Sequence, residues 1–152
     1  MKEILCSAKH IDHYTFQATS RTYQYFIDTS AAGGANKGPS PKELVLSAIL
    51  VCSGMDIVGM LKKHKVSYDS FQCEGAAELG GQRPFTFTRE KVKFKLDGDK
   101  IVPEKAIQAA QDSMTKYCSV SAMISKHCPI QYEVIINGKI VHSSFANFGE
   151  KA

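Results

Sequence analysis

Between residues 44 and 61 apolar side chains fall on nearly every side of a helix. Leu44, Val45, Leu46, Ile49, Leu50, Val51, Met55, Ile57, Val58 and Met60 leave no broad polar face. A helix of that kind must be covered all round, because solvent against any side leaves hydrocarbon in water. Its start is marked as firmly as its interior. Ser40 takes the N-cap, Pro41 the first helical position, and Glu43 lies three residues after the cap, where hydroxyl and carboxylate satisfy backbone N–H groups reciprocally. The longest nearly apolar run, residues 44–52, is interrupted by Ser47 and followed by Gly54 and Asp56, so it falls short of a membrane span. The segment is expected as a long, buried central helix.

A chain of 152 residues suits one domain, taken here as residues 1–152. Its formal charge of +4 comes from basic residues dispersed among acidic ones, which argues for neither nucleic acid nor a membrane surface as partner. The first residues lack the apolar stretch of a secretory signal, so a cytoplasmic location is expected. Five cysteines, at positions 6, 52, 73, 118 and 128, are an odd number at irregular separations. A disulfide framework is not the expectation; cysteine chemistry here is redox or metal.

The remaining pattern gives one further helix and a set of strands. Residues 103 to about 126, opening on Pro103, carry Ala106, Ile107, Ala110, Met114, Met123 and Ile124 at roughly helical spacing. Residues 4–8, 14–18 and 23–28 read as an antiparallel meander, followed by a small, flexible loop at 31–38. Residues 68–79 and 85–96 read as a hairpin, with alternation clearest in Val92-Lys93-Phe94-Lys95-Leu96. Residues 130–136 form a last strand, Asn137-Gly138 a turn, and 140–141 a short return. The order β-β-β-α-β-β-α-β, with hairpins separated by two long helices, predicts an α+β fold. Tyr23, Tyr25, Phe26, Phe85 and Phe87 are expected on a sheet face packed against helices, some of them as walls of a substrate pocket.

Cys52 lies in the apolar helix and Cys118 in the second one. Each alone reads as a small buried hydrophobe. As a pair they have a second reading, since a thiol peroxidase needs one cysteine that reacts as thiolate and another that reaches the resulting sulfenic acid. Asp56, four residues after Cys52, shares its helix face and needs a partner such as Arg, Lys or a helix N-terminus. It reads either as a structural ion pair or as an organiser of the thiolate's cationic neighbour. His64, His127, Cys128, Cys52 and Cys118 could in principle ligate zinc, but no Cys-x-x-Cys or His-x-x-x-His spacing supports a metal site. Cys6 and Cys73 read as packing residues in strands.

Three stretches together resemble one family: Pro41-Lys42-Glu43-Leu44-Val45-Leu46-Ser47-Ala48, then Cys52-Ser53 with Asp56-Ile57-Val58, then Lys116-Tyr117-Cys118-Ser119-Val120. They are similar to the OsmC/Ohr family of osmotically inducible and organic-hydroperoxide-resistance proteins, nearer its YhfA-like branch than its best-studied peroxidases. The resemblance covers most of the chain. It implies an intertwined α+β homodimer with Cys52 as peroxidatic thiol and Cys118 as resolving thiol. An organic hydroperoxide would be the substrate and an external dithiol the reductant, with no cofactor. The characterised enzymes have a glutamate directly after the helix-start proline, paired with an arginine that activates the thiol. Here Lys42 occupies that position and Glu43 comes one residue later, about 100° further round the helix. Glu43 therefore does not simply inherit the role, and its capping box accounts for it. Arg21 falls loosely where the activating arginine would, with Arg83 and Arg89 as alternatives. The rival expectation is a non-catalytic dimer of the same fold that binds an apolar small molecule.

Overall fold

Strand β5 (Phe87–Asp97) shows how the sequence makes its layers. Glu90, Val92, Phe94 and Leu96 are buried on one side, while Lys91, Lys93 and Lys95 alternate on the other with their ends reaching water. The computed structural model describes residues 3–149, which divide into two compact units, one ending at Val45 and one beginning at Leu46.

The first unit is the expected antiparallel meander, β1 (Cys6–Asp12), β2 (Thr15–Ser20) and β3 (Tyr23–Ile27), in the order β1-β2-β3. β1 begins later and runs farther than residues 4–8. Its sequence has no alternation to read, and its residues are exposed on both faces. Tyr23, Tyr25 and Phe26, expected against helices, stand exposed, and Ala18 is the buried apolar residue of this unit. The loop after β3 departs from the flexible segment expected. Asp28 is buried there and gathers three donors, the Thr15 hydroxyl at 2.9 Å and the backbone N–H groups of Thr29 at 2.7 Å and Lys37 at 3.0 Å. Close backbone approach completes the pinning: a Cβ on Gly38 would lie 2.2 Å from the carbonyl oxygen of Phe26.

The second unit carries a four-stranded sheet ordered β4-β5-β6-β7, with β4 (Ser70–Leu79), β6 (Ile130–Ile136) and β7 (Lys139–Phe145). β4 and β5 form the expected hairpin, β5 and β6 run parallel, and β6 and β7 join antiparallel through Asn137-Gly138, both at positive φ. β7 is longer than the two-residue return expected. β4 is an outer strand of this sheet.

Helix α1 (Pro41–Lys63) opens with the predicted capping box: Ser40 N–H donates to Glu43 Oε2 at 2.7 Å, and Glu43 N–H to Ser40 Oγ at 3.4 Å. Ile49, Ile57 and Leu61 enter the core with Val92, Phe94, Leu96, Ile130, Tyr132 and Val134. Each such side chain is worth about 1.5–3 kcal/mol of burial. Cover on every side is met on one face only, since Val51 is 53% and Met55 69% exposed. The whole helix of 23 residues, unlike the 44–52 run, is long and apolar enough to cross a bilayer; a core helix of a soluble protein satisfies the same measure.

The second predicted helix is broken. α2 (Pro103–Asp112) passes into a π-helical turn, Ser113–Tyr117, and α3 (Ser119–Ile124) starts after Cys118. Cys118 N–H donates to the Ser113 carbonyl at 2.9 Å, one residue beyond the α-helical acceptor. The Met114 carbonyl thus released accepts from Asn147 N–H at 3.1 Å.

The three donors on Asp28, with Lys37 N–H foremost, hold its carboxyl below the ordinary 3.8. Stability from such a group is complete above its unfolded pKa and lost as pH falls through the folded one. Asp28→Asn is expected to lower the urea midpoint at pH 7, with the difference shrinking on acidification below 3.8.

Candidate functional site

Cys52 is half-buried on α1 and Cys118 is fully enclosed, and the two thiols lie near enough for Cys52 to raise the Cys118 pKa. Each is placed by a different local device. Cys52 sits on the flank of α1 between the core-facing residues Ile49 and Ser53 and the polar Asp56, four residues on. Cys118 sits where the π-helical turn ends. Its extended backbone (φ −66, ψ 100) makes it the N-cap of α3, and its sulfur accepts from Ser121 N–H at 3.3 Å.

Burial pushes the Cys118 thiol up to about 11; Ser121, through hydroxyl and backbone N–H, pulls it down, and Cys52 pushes it up again. At neutral pH Cys118 therefore carries its proton. The two thiols differ in exposure as well: Cys52 keeps some exposed surface, whereas Cys118 has none.

Asp56 has a partner of a kind the sequence did not suggest. The fully buried Ser113 hydroxyl donates to Asp56 Oδ2 at 2.9 Å and has a longer approach, 3.4 Å, to the Ser53 carbonyl. The contact replaces the expected Arg, Lys or helix N-terminus. Ser113 and Ser121 were both missed from sequence. Cysteine lies outside the usual N-cap residues, and a π-helical turn has no sequence signature that would have drawn attention to them.

The remaining candidates have local partners. Arg21 occupies the two-residue turn between β2 and β3 at φ 57, its guanidinium 5.4 Å from the centre of the Tyr23 ring. Glu43 is engaged in the cap, which with the Ser40 backbone N–H foremost holds its carboxyl below the ordinary range. Arg83 stacks over Phe85 at 5.7 Å, and Arg89 lies opposite Glu78 in the β4–β5 register. Among the described residues no group of three or more His, Cys, Asp and Glu gathers where one ion could be held. Cys6 is exposed in β1 with its S–H 3.5 Å from Ser20 Oγ.

Cys73 lines a separate feature, an open apolar groove of about 720 Å³ between α1 and β4, walled by Leu50, Val51, Met55, Val58 and Phe71. Burial pushes its thiol up to about 11. The wall of this groove does not include Cys52, so the groove and the thiol pair occupy different arcs of α1.

The fold defines a class of small α+β proteins, two sheets with one long apolar helix, and the comparisons name it. The model of OsmC-like proteins matches residues 34–133, and the chain belongs to that family. It is 30% identical over 130 residues to Protein YhfA of Escherichia coli K12, an alignment covering 84% of this chain and 95% of that protein. A hypothetical protein from Aquifex aeolicus VF5 superposes with a TM-score of 0.77 at 24% identity, covering 90% of this chain and 99% of that one. The organic hydroperoxide resistance protein OhrB of Bacillus subtilis superposes with a TM-score of 0.61 at 18% identity, covering 88% and 98%. The fold is thus the α+β fold of OsmC-like proteins.

One buried acid lies outside the pair. Glu90 is fully enclosed in line with Val92 and Phe94, and Cys128 S–H donates to its Oε1 at 3.8 Å. Burial raises the carboxyl pKa, the Cys128 hydrogen bond only partly offsetting it, so ionisation costs stability as pH rises above the ordinary 4.5. Glu90→Met is expected to stabilise the protein by about 1 kcal/mol at pH 8, measured by urea unfolding, with the gain fading as pH falls towards 4.5.

Proposed function

We propose that this protein is a cysteine-based hydroperoxide reductase that works as an intertwined homodimer in the cytoplasm. The observation that carries the reading is the closeness of a partly exposed thiol on α1 to an enclosed one at the cap of α3. Cys52, as thiolate, attacks an oxygen of an organic hydroperoxide. The O–O bond breaks, alkoxide leaves and takes a proton to become alcohol, and Cys52 becomes a sulfenic acid. Cys118 then attacks the Cys52 sulfur, the S–O bond breaks, and the hydroxyl leaves with the Cys118 proton as water. The Cys52–Cys118 disulfide is returned to two thiols by an external dithiol, which is oxidised in turn. The unequal environments suit the unequal tasks. The protonated, sealed Cys118 is protected from peroxide until a sulfenic acid stands beside it.

The thiolate needs a cation nearby to exist at neutral pH. Arg21 is our candidate for that cation on its place in the family pattern, with Arg83 and Arg89 as alternatives. Glu43 and Asp56 support the site from the helix rather than reacting. The apolar surroundings of α1 favour an alkyl hydroperoxide over hydrogen peroxide.

A second copy of the chain is the proposed cover for the apolar face of α1 and for the aromatic side chains of β2 and β3, completing residues 1–152 as one OsmC-like domain. Val51, Met55 and Val58 stand uncovered together on α1, an arrangement costly in water. Sedimentation should give twice the chain mass, and Met55→Glu should shift the protein towards monomer. A wild-type monomer at working concentration removes the dimer from the reading.

Stoichiometric cumene hydroperoxide added to the reduced protein, followed by alkylation and mass analysis, should consume the Cys52 and Cys118 thiols together. Cys52→Ser should abolish peroxide turnover, and Cys118→Ser should accumulate one sulfenic acid per chain. A dithiol unchanged by peroxide would leave the non-catalytic reading, a dimer that holds an apolar molecule in the groove beside Cys73.

A further inference from the structure

Ser113 joins the two segments that carry the thiols, and it does so with two different groups. Its hydroxyl donates across to Asp56 on α1 at 2.9 Å, one helical turn from Cys52. Its carbonyl accepts from Cys118 N–H at 2.9 Å, the bond that closes the π-helical turn and ends it at Cys118. The side chain is fully buried, so water does not stand in for either contact without a rearrangement of the core. The same residue therefore fixes where α1 lies against the second helical segment and where the backbone turns to present the Cys118 sulfur.

We infer that Ser113 and Asp56 form a positioning pair that holds Cys118 in attacking range of Cys52 and so sets how readily the disulfide closes. The inference rests on the reading of these cysteines as a redox pair. The step it governs is the second one: the Cys118 sulfur bonds to the Cys52 sulfur, the Cys52 S–O bond breaks, and the hydroxyl and the Cys118 proton leave as water. Neither Ser113 nor Asp56 touches the reacting peroxide. Their effect acts through alignment, because intramolecular attack gains most from having its partners held at the right distance and angle.

Alternative devices on the page are weaker. Cys118 N–H and the Ser121 cap shape one segment only, and the Asn147 bond to Met114 ties that segment to the C-terminal side of β7. Among the described residues, the side-chain hydrogen bonds that link α1 to the Cys118 segment both come from the Ser113 hydroxyl, the shorter to Asp56 at 2.9 Å and the longer to the Ser53 carbonyl at 3.4 Å.

The test measures the effective concentration of the two thiols towards each other, by equilibrating the full chain with reduced and oxidised glutathione and quantifying the Cys52–Cys118 bridged peptide by mass after acid quench. Ser113→Ala and Asp56→Ala are each expected to lower it about tenfold, the upper end of what one ordinary intramolecular hydrogen bond contributes. Asp56→Asn keeps an acceptor for the hydroxyl and should stay near the wild-type value. The double variant Ser113→Ala/Asp56→Ala should be no worse than either single one, because both remove the same bond. Thermal unfolding run alongside restricts the comparison to variants folded at the assay temperature, and Asp56→Asn supplies a comparison if Ser113→Ala is not. Effective concentrations within twofold of wild type in the folded single variants, or losses that add in the double one, would overturn the inference. Because glutathione replaces peroxide, the two readings separate. A wild-type chain that forms this disulfide with glutathione but ignores hydroperoxide loses the peroxidase reading and keeps the positioning pair, whereas normal peroxide turnover with unchanged effective concentrations does the reverse.

Discussion

A helix that is apolar over most of its circumference stays folded in water only while something covers it, and the architecture described here is arranged around that demand. α1 meets it in three arcs. Ile49, Ile57 and Leu61 lie against the sheet and supply the core. Cys52 and Asp56 follow on the next arc, facing the second helical segment through the thiol contact and the Ser113 hydroxyl. Val51, Met55 and Val58 complete the circle uncovered. The Cys52 sulfur thus sits at the boundary between packed hydrocarbon and a polar seam, half-buried on the flank of the helix.

The environments of the cysteines diverge more than their spacing in sequence suggests. Burial alone raises the Cys73 thiol to about 11, and burial reinforced by a carboxyl group does the same at Cys128. Cys118 reaches a similar value although Ser121 donates to it, because enclosure outweighs two hydrogen bonds. A sulfur so placed remains a protonated thiol at neutral pH.

What the sequence revealed depended on whether a local pattern carried the information. The capping box at Ser40 and Glu43, the alternation through Val92-Lys93-Phe94, and the turn at Asn137-Gly138 are each specified by neighbouring residues, and each formed as read. β1 was misjudged in extent because its residues are exposed on both faces and have no period. The break at Cys118 escaped notice because the residues before it continue a helical pattern, and only the carbonyl choice of Cys118 N–H, with Asn147 taking the vacated one, interrupts it. Asp28 was missed for the same reason, since its donors come from a strand and from a loop nine residues on. At the candidate site, Cys52, Cys118 and Asp56 were legible as types at suggestive positions. Ser113 was not, because a serine in an amphipathic run ordinarily marks nothing and its meaning lies in a residue 57 positions away.

β4 gives the fold one more property. It is ten residues long and lies at the border of its sheet, so one side of its backbone offers a row of amide and carbonyl groups to whatever strand comes alongside. Lys, Pro or a sharp bend would blunt such a border, yet Ser70–Leu79 has no lysine and no proline, and its register irregularity falls only at the far end, by Leu79. An extended segment laid alongside would therefore meet open hydrogen-bonding positions along this border, with Glu74 and Glu78 the charges on the strand that such a partner has to match.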